Sequence, residues 1–297
     1  MSPPITIAIP FYEGLDYLAA AVESVLAQSD PDWQLLVCDD GEQEQGAGEL
    51  VDSFGDPRIH YRRNPRNLGM VPNWNACIER AETDLVTLLH ADDLLLPSYT
   101  TLMQELAGRY PKAAAFFCGA RIIDARGRRG LSVADTAKRL FVPRGRGPLV
   151  LRSEPALHAL MRGNFIFCPT LCFRRSALGE RRFSERWRQV QDLELSARLL
   201  CEGETLVGSR EPGYAYRRHA ESATALHNES MLRFEEELVL FDEIAERAQQ
   251  LGWERAARAS RRKTIVKLHL AYRVVRDLLT LQPGRALDKL RFLVGSR

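Results

Sequence analysis

The chemistry-bearing residues of this chain fall at the ends of short apolar runs. In Leu88-Leu89-His90-Ala91-Asp92-Asp93 an apolar run ends on adjacent carboxylates. Such a pair raises its own pKa by repulsion unless it is well solvated or shares a cation, and oxygen ligands suit Mg2+ or Mn2+. The same acids also fit a helix start, with Pro97 opening a helix over 99–109. A second pair, in Val37-Cys38-Asp39-Asp40-Gly41, offers a carboxylate able to accept the imino N–H of a pyrimidine, or simply a turn-forming Asp before Gly41. Asp192, in Val190-Gln191-Asp192-Leu193-Glu194, opens a helix that runs to about Leu200. There the helix dipole favours a carboxylate, often simply as a cap.

The elements that position these residues follow from periodicity. Ile5 to Ile9, Trp33 to Val37, Arg58 to Tyr61 and Asp84 to Leu89 read as strands. Helical patterns alternate with them, over Leu15 to Leu26, Leu50 to Phe54, Val71 to Ala81 and Tyr99 to Arg109. Strands alternating with helices predict an α/β fold with a mostly parallel, doubly wound sheet, and ligands of such sheets bind at the carboxyl ends of the strands. Pro10, Tyr12, Glu13, Asp39, Asp40, Asn67, Asp92 and Asp93 all fall at that edge. No GxGxxG follows the first strand and no GxxxxGK[ST] occurs, so the usual dinucleotide and P-loop phosphate cradles are excluded. An aromatic that stacks on a base, a carboxylate on its N–H and a metal at the diphosphate would have to serve instead.

Composition agrees with a globular enzyme. The chain has 297 residues, ample for a large core, and a net charge of +2. That total hides an asymmetry: residues 255–297 hold 12 Lys/Arg against 2 acids, a net of +10 that leaves −8 for residues 1–254. The 6 cysteines lie mostly in apolar runs without CxxC spacing and read as reduced core thiols. Met1 to Pro10 lacks a basic n-region, and no apolar run approaches the roughly 18 residues of a spanning helix. The expected location is therefore cytoplasmic.

Four ordered segments together resemble glycosyltransferase family 2, inverting nucleotide-sugar enzymes of the GT-A fold. They are Ile7-Ala8-Ile9-Pro10-Phe11-Tyr12, Val37-Cys38-Asp39-Asp40-Gly41, Asn67-Leu68-Gly69 with Asn75, and Ala91-Asp92-Asp93. The resemblance implies that Tyr12 packs on a uracil or thymine ring and that Asp39 binds its N3–H. Pro10, Glu13, Asn67 and Asn75 would belong to the same nucleotide site. Asp92 would face the ribose and the metal, and Asp93 would also lie at the metal. Many members carry Asp-x-Asp-Asp where this chain has His90-Ala91-Asp92-Asp93, so a neutral imidazole replaces the first acid.

The same resemblance makes Asp192 the catalytic base, with Gln191 in place of the Glu that usually precedes it, a change that should make the base less basic. Tyr216-Arg217-Arg218-His219-Ala220-Glu221-Ser222 matches a Tyr-Arg-x-His-x-x-Ser segment, which would bring His219 to the diphosphate or the metal. The implied partners are a UDP- or dTDP-linked sugar donor and a hydroxyl acceptor on a glycan or lipid-linked glycan, with Mn2+ or Mg2+ and no nucleic acid. His90 and Gln191 leave open a non-catalytic nucleotide-sugar-binding relative, and a metal-dependent phosphohydrolase is a further alternative.

The resemblance covers about residues 5–224, giving an expected GT-A domain over 1–224 and a helical, basic region over 225–297. Within the domain, the Arg/Gly-rich 126–148 reads as an irregular loop, and the resemblance implies that 163–173 borders the acceptor pocket. In the helical region Phe234, Leu238, Phe241, Ala245 and Ala248 form one stripe, and Ile265, Leu268, Tyr272, Val275 and Leu279 another. These either pack on the domain, leaving a solvated basic face, or attach the protein to an anionic membrane surface.

Overall fold

The computed structural model describes residues 3–41, 46–130, 141–218 and 231–295. Its first half alternates β1 (Ile5–Phe11), α1 (Leu15–Leu26), β2 (Trp33–Asp39), α2 (Ala47–Ser53), β3 (Ile59–Arg63), α3 (Met70–Arg80) and β4 (Leu85–Leu88). β5 (Leu94–Leu95), α4 (Tyr99–Arg109) and the long β6 (Ala115–Asp124) follow. After them come β7 (Leu149–Leu151), α5 (Ser153–Gly163), β8 (Cys172–Arg174), the single-turn α6 (Arg175–Leu178), α7 (Gln191–Cys201) and β9 (Leu206–Arg218). Four helices close the chain: α8 (Leu232–Gln250), α9 (Glu254–Arg262), α10 (Thr264–Leu279) and α11 (Pro283–Gly295).

The described strands form one sheet of order β3-β2-β1-β4-β8-β6-β9-β5, with β7 paired to β9. β3, β2, β1 and β4 run parallel, as the alternation predicts, while β8 enters antiparallel between β4 and β6. The fold is thus α/β, a mostly parallel central sheet flanked by helices with a helical C-terminal region. Side chains alternate across the pleat. Ile5, Ile7 and Ile9 with Leu35 and Val37 join a core containing α1 and α4, whereas Ala8, Leu36 and Cys38 face a core built with α3, α5 and α7.

β6 runs on to Asp124 because it pairs in parallel with β9 to its end, through register shifts on either side of Gly119. A Cβ at Gly119 would stand 3.0 Å from the Arg210 carbonyl oxygen, so a larger residue would press the strands apart by a few tenths of an ångström there. The isolated Leu94-Leu95 becomes a short strand rather than a lead into a helix, because Ala215 and Tyr214 pair with it. In the helical region the first stripe packs as expected: Phe234, Phe241 and Ala248 are buried in the same core as α3 and α7, with Leu238 packed against it, and Ala245 is buried too. The second stripe packs only at its start, where Ile265 lies against the same core. Leu268, Tyr272, Val275 and Leu279 are exposed, while Arg273 and Asp277 on the opposite side of α10 are buried.

Candidate active site

At the carboxyl end of β2 the two acids have different tasks. Asp40 is buried, and its Oδ1 accepts from Asn64 Nδ2 (2.8 Å) and the Leu68 amide (2.8 Å). Its Oδ2 accepts from the Gly69 amide (2.9 Å), and its carbonyl accepts from Asn67 Nδ2 (2.7 Å). A carboxylate that organises a loop in this way is a scaffold. Asp39, also buried, accepts from the Gly41 amide (2.8 Å) and the Tyr61 hydroxyl (2.5 Å). Directly beyond β1, Tyr12 is exposed at 46%, leaving its ring face free for a planar partner beside Asp39, whose strand neighbour is Phe11. Pro10 lies half-buried within β1 and Glu13 is exposed. Asn67 thus ties the 64–69 loop to β2. Asn75 has both ends of its amide on the Phe183 backbone, donating to the carbonyl (2.9 Å) and accepting from the amide (3.0 Å), so it fixes the 183 segment.

The turn after β4 carries the second group. His90, Asp92 and Asp93 bring potential ligand atoms within 4.8 Å of one another. Asp93 is the buried anchor, its Oδ1 accepting from the Arg217 amide (2.7 Å) and its Oδ2 from the Tyr214 hydroxyl (3.0 Å). It is therefore not a helix cap. Burial, and after it the charge of Asp92, pushes the Asp93 carboxyl well above the usual carboxylate range, the condition a shared cation would relieve. Asp92 is half-buried, and its carbonyl accepts from Arg217 Nε (2.5 Å). His90 stacks on Trp74 with centroids 5.2 Å apart, and burial lowers its pKa, so the imidazole is neutral and able to act as a ligand.

Sequence reasoning missed the residues that hold this turn. Arg217 is buried, with further bonds to the carbonyls of Asp124 (3.3 Å) and Ala125 (3.0 Å), and so ties the turn to both β9 and β6. Tyr214 donates to Asp93 and accepts from the His90 amide (3.3 Å). The motif around His219 brings this segment to the site, but nothing local assigns Arg217 or Tyr214 to the acids, which sit more than a hundred residues away. His219, with Ser222 of the same expected segment, lies outside the described residues.

Asp192 occupies the second position of α7, half-buried, after Val190, which takes the cap position without a side-chain bond. Gln191 beside it is buried, and its Oε1 has no hydrogen-bond partner among the described residues. Two residues of α8 reach this helix start. Buried Glu236 accepts from the amides of Arg188 (3.0 Å) and Gln189 (2.8 Å), clamping the chain just ahead of α7. Arg233 faces both Asp192 and Tyr216. Burial would depress its guanidinium, but Glu237 first, then Asp192 and Tyr216, hold it above its ordinary pKa. Tyr216 and Arg217 are consecutive on β9, so one strand end serves the Asp92-Asp93 turn with one residue and lies against the charge facing Asp192 with the other.

Residues 6–181 match the family model described as glycosyl transferase family 2. EpsE of Bacillus subtilis (strain 168), by its name a glycosyltransferase, is 27% identical over 232 residues, 73% of this chain and 77% of that protein. An uncharacterized protein of Mycobacterium tuberculosis (strain CDC 1551 / Oshkosh) is 29% identical over 205 residues, 67% of this chain and 62% of its own length. Among solved structures, S. aureus TarS 1-349 in complex with UDP-GlcNAc superposes with a TM-score of 0.59 at 13% identity, covering 99% of this chain and 91% of that one. The mannosyltransferase PcManGT from Pyrobaculum calidifontis, in complex with GDP-Man and Mn2+, gives 0.58 at 14% identity, covering 99% and 88%. At such identities these likenesses describe the fold.

The scaffold role of Asp40 is separable from ligand binding. Asp40→Ala removes the acceptor of the half-buried Leu68 and Gly69 amides and one acceptor of the buried Asn64 side chain, which keeps its bond to Asn73, and a buried group left unsatisfied costs about 1–3 kcal/mol. The expected result is a loss of about 1–3 kcal/mol in urea unfolding, with an unchanged slope. Wild-type stability would contradict the role.

Proposed function

Because the chain belongs to glycosyl transferase family 2, we propose that it is an inverting, metal-dependent glycosyltransferase, taking a sugar from a UDP- or dTDP-linked donor to a hydroxyl of a glycan or lipid-linked glycan. The observation that carries this reading is the end of β9, where Tyr216 and Arg217 connect a carboxylate turn suited to a metal with an acid at a helix start. In this reading the nucleobase stacks on Tyr12 and its N3–H bonds to Asp39, with Pro10, Glu13 and Asn67 around it. Asn75 contributes through the 183 segment that it holds.

The residues present fit a divalent ion. Asp92 and His90 offer the more open donors, and Asp93 stands behind them. One imidazole among carboxylates favours Mn2+ over Mg2+, which prefers an all-oxygen shell. When bound, the ion supplies charge neutralisation for a departing diphosphate. His219 is kept as a further candidate ligand.

Asp192 accepts the proton of the acceptor hydroxyl as its oxygen attacks the anomeric carbon from the face opposite the nucleotide. No second acid on the sugar is required, because a neutralised diphosphate leaves without protonation, unlike the poor leaving oxygen that glycosidases must protonate. Arg233 and the Glu236 clamp orient Asp192 for that transfer, and misplacement of a base by about 1 Å is enough to cost a large factor in rate. The same enzyme would work in the cytoplasm, where nucleotide sugars would meet an acceptor held at the inner face of a membrane.

Asp192→Asn is the informative replacement, since it keeps the shape and hydrogen-bonding reach of Asp but takes up no proton at neutral pH. The expected outcome is normal nucleotide binding with transfer slowed about 10²–10⁴-fold, read as sugar moved to acceptor in a panel of UDP- and dTDP-sugars. Full activity in that variant would remove Asp192 from the chemistry. Release of nucleoside monophosphate and sugar 1-phosphate, with or without acceptor, would point to the phosphohydrolase alternative.

Metal removal separates the two ends of the donor. Calorimetric titration of UDP in EDTA should show affinity reduced at least tenfold, about 1.4 kcal/mol, while uridine binding stays as it was. Tight UDP binding that ignores EDTA would mean that the carboxylate turn holds the diphosphate without a cation.

A further inference from the structure

The α10–α11 hairpin is turned inside out for a helix pair of a water-soluble protein. Of the 12 large hydrophobic residues exposed among the described residues, 8 lie between Leu268 and Leu290. On α10 they form a continuous stripe, Leu268, Tyr272, Val275 and Leu279, spaced by 4, 3 and 4 residues on one face. Leu279 is 79% exposed. Leu287 and Leu290 extend the surface on α11. The side turned to the protein carries charge instead: Asp277 and Lys289 are buried and paired with each other across the hairpin, and Arg273 is buried beside them.

A sequence that buries an ion pair and leaves leucines in water has its apolar face arranged for an apolar medium. A buried pair is weak evidence for stability by itself, whereas an exposed apolar patch of this extent marks a surface that meets something else.

Charge identifies what it meets. On the α10 wheel Lys267 and Arg276 fall on opposite flanks of the stripe, where long cationic side chains reach the level of lipid head groups while the apolar residues sink below it. The whole 255–297 segment carries 12 Lys/Arg against 2 acids. No described helix is long and apolar enough to cross a membrane, so the geometry is that of helices lying on a surface. We infer that the outer face of the α10–α11 hairpin is a docking surface for an anionic phospholipid bilayer. The hairpin stays joined to the body through Val266 and Leu270, and through His269 against Phe234, the α8 residue next to Arg233. Bilayer contact therefore bears on the same helix that reaches Asp192. The inference stands on exposure and charge alone and holds whatever reaction the site performs.

The test is flotation of the full chain with vesicles of phosphatidylcholine and phosphatidylglycerol in about a 2:1 ratio, against pure phosphatidylcholine, at low and high salt. Binding is expected with the anionic vesicles at low salt and is expected to fade with salt or without phosphatidylglycerol. The double variant Lys267→Gln/Arg276→Gln keeps the stripe and should weaken partition by about fivefold per charge removed. Leu268→Ser/Tyr272→Ser/Leu279→Ser should abolish flotation while the thermal melt of the body is retained. Absence of flotation at low salt would overturn the inference, as would undiminished flotation of both variants. So would a wild-type dimer that the serine variant converts to monomer, since that would assign the face to a second copy of this chain.

Discussion

Arg217 is the point on which the site turns. It is a buried cation that gives its backbone amide to the Asp93 carboxylate, its Nε to the Asp92 carbonyl and its terminal nitrogen to two carbonyls of the turn after β6. A guanidinium presents donors in a rigid fork, so one side chain can fix three segments at once. Asp93 could not remain charged in its buried place without such partners, because burial disfavours its carboxylate and the nearby charge of Asp92 adds to that cost. With Arg217 and Tyr214 in place, Asp93 becomes an internal anchor, and Asp92 with His90 is left toward the crevice. Trp74 completes the arrangement by stacking on His90.

The second constraint comes from the helical region. α8 shares a core with the sheet, and its first turns hold the start of α7 through Glu236 on the Arg188 and Gln189 amides. A helix that begins without a side-chain cap is otherwise free to fray at its first residues, where Asp192 lies. The region is thereby part of the machinery at its α8 end. At its α10–α11 end it presents apolar surface outward, so the four helices run from the helix that carries Asp192 to the proposed docking face.

Much of the site was legible in the sequence where function and local pattern coincide. β1, β2 and β4 are short runs of β-branched and aliphatic residues that end abruptly on Tyr12, Asp39-Asp40 and Asp92-Asp93, and the parallel alternation brings those ends to one edge. The division of labour within each pair was not legible. Asp40 and Asp93 are the scaffolds because of bonds to Leu68, Gly69, Tyr214 and Arg217, which are set by packing rather than by neighbours in the chain. Asn75 looks like a nucleotide residue in the sequence, yet its amide is used on Phe183. The periodicity of α10 was equally plain, but periodicity shows only that a helix has an apolar face. Which way that face points depends on the buried Asp277–Lys289 pair, which no periodic pattern reveals.

The account places the departing diphosphate at the His90 and Asp92 turn and a single base, Asp192, across from it, with no residue assigned to form a covalent link to the sugar. The stereochemistry at the anomeric carbon tests that arrangement most directly. Proton NMR of the initial product from an α-linked UDP-sugar should show the new bond as β, by its larger H1–H2 coupling for a gluco-configured sugar. An α-linked product would contradict direct displacement by a base-activated hydroxyl, and with it the role given to Asp192.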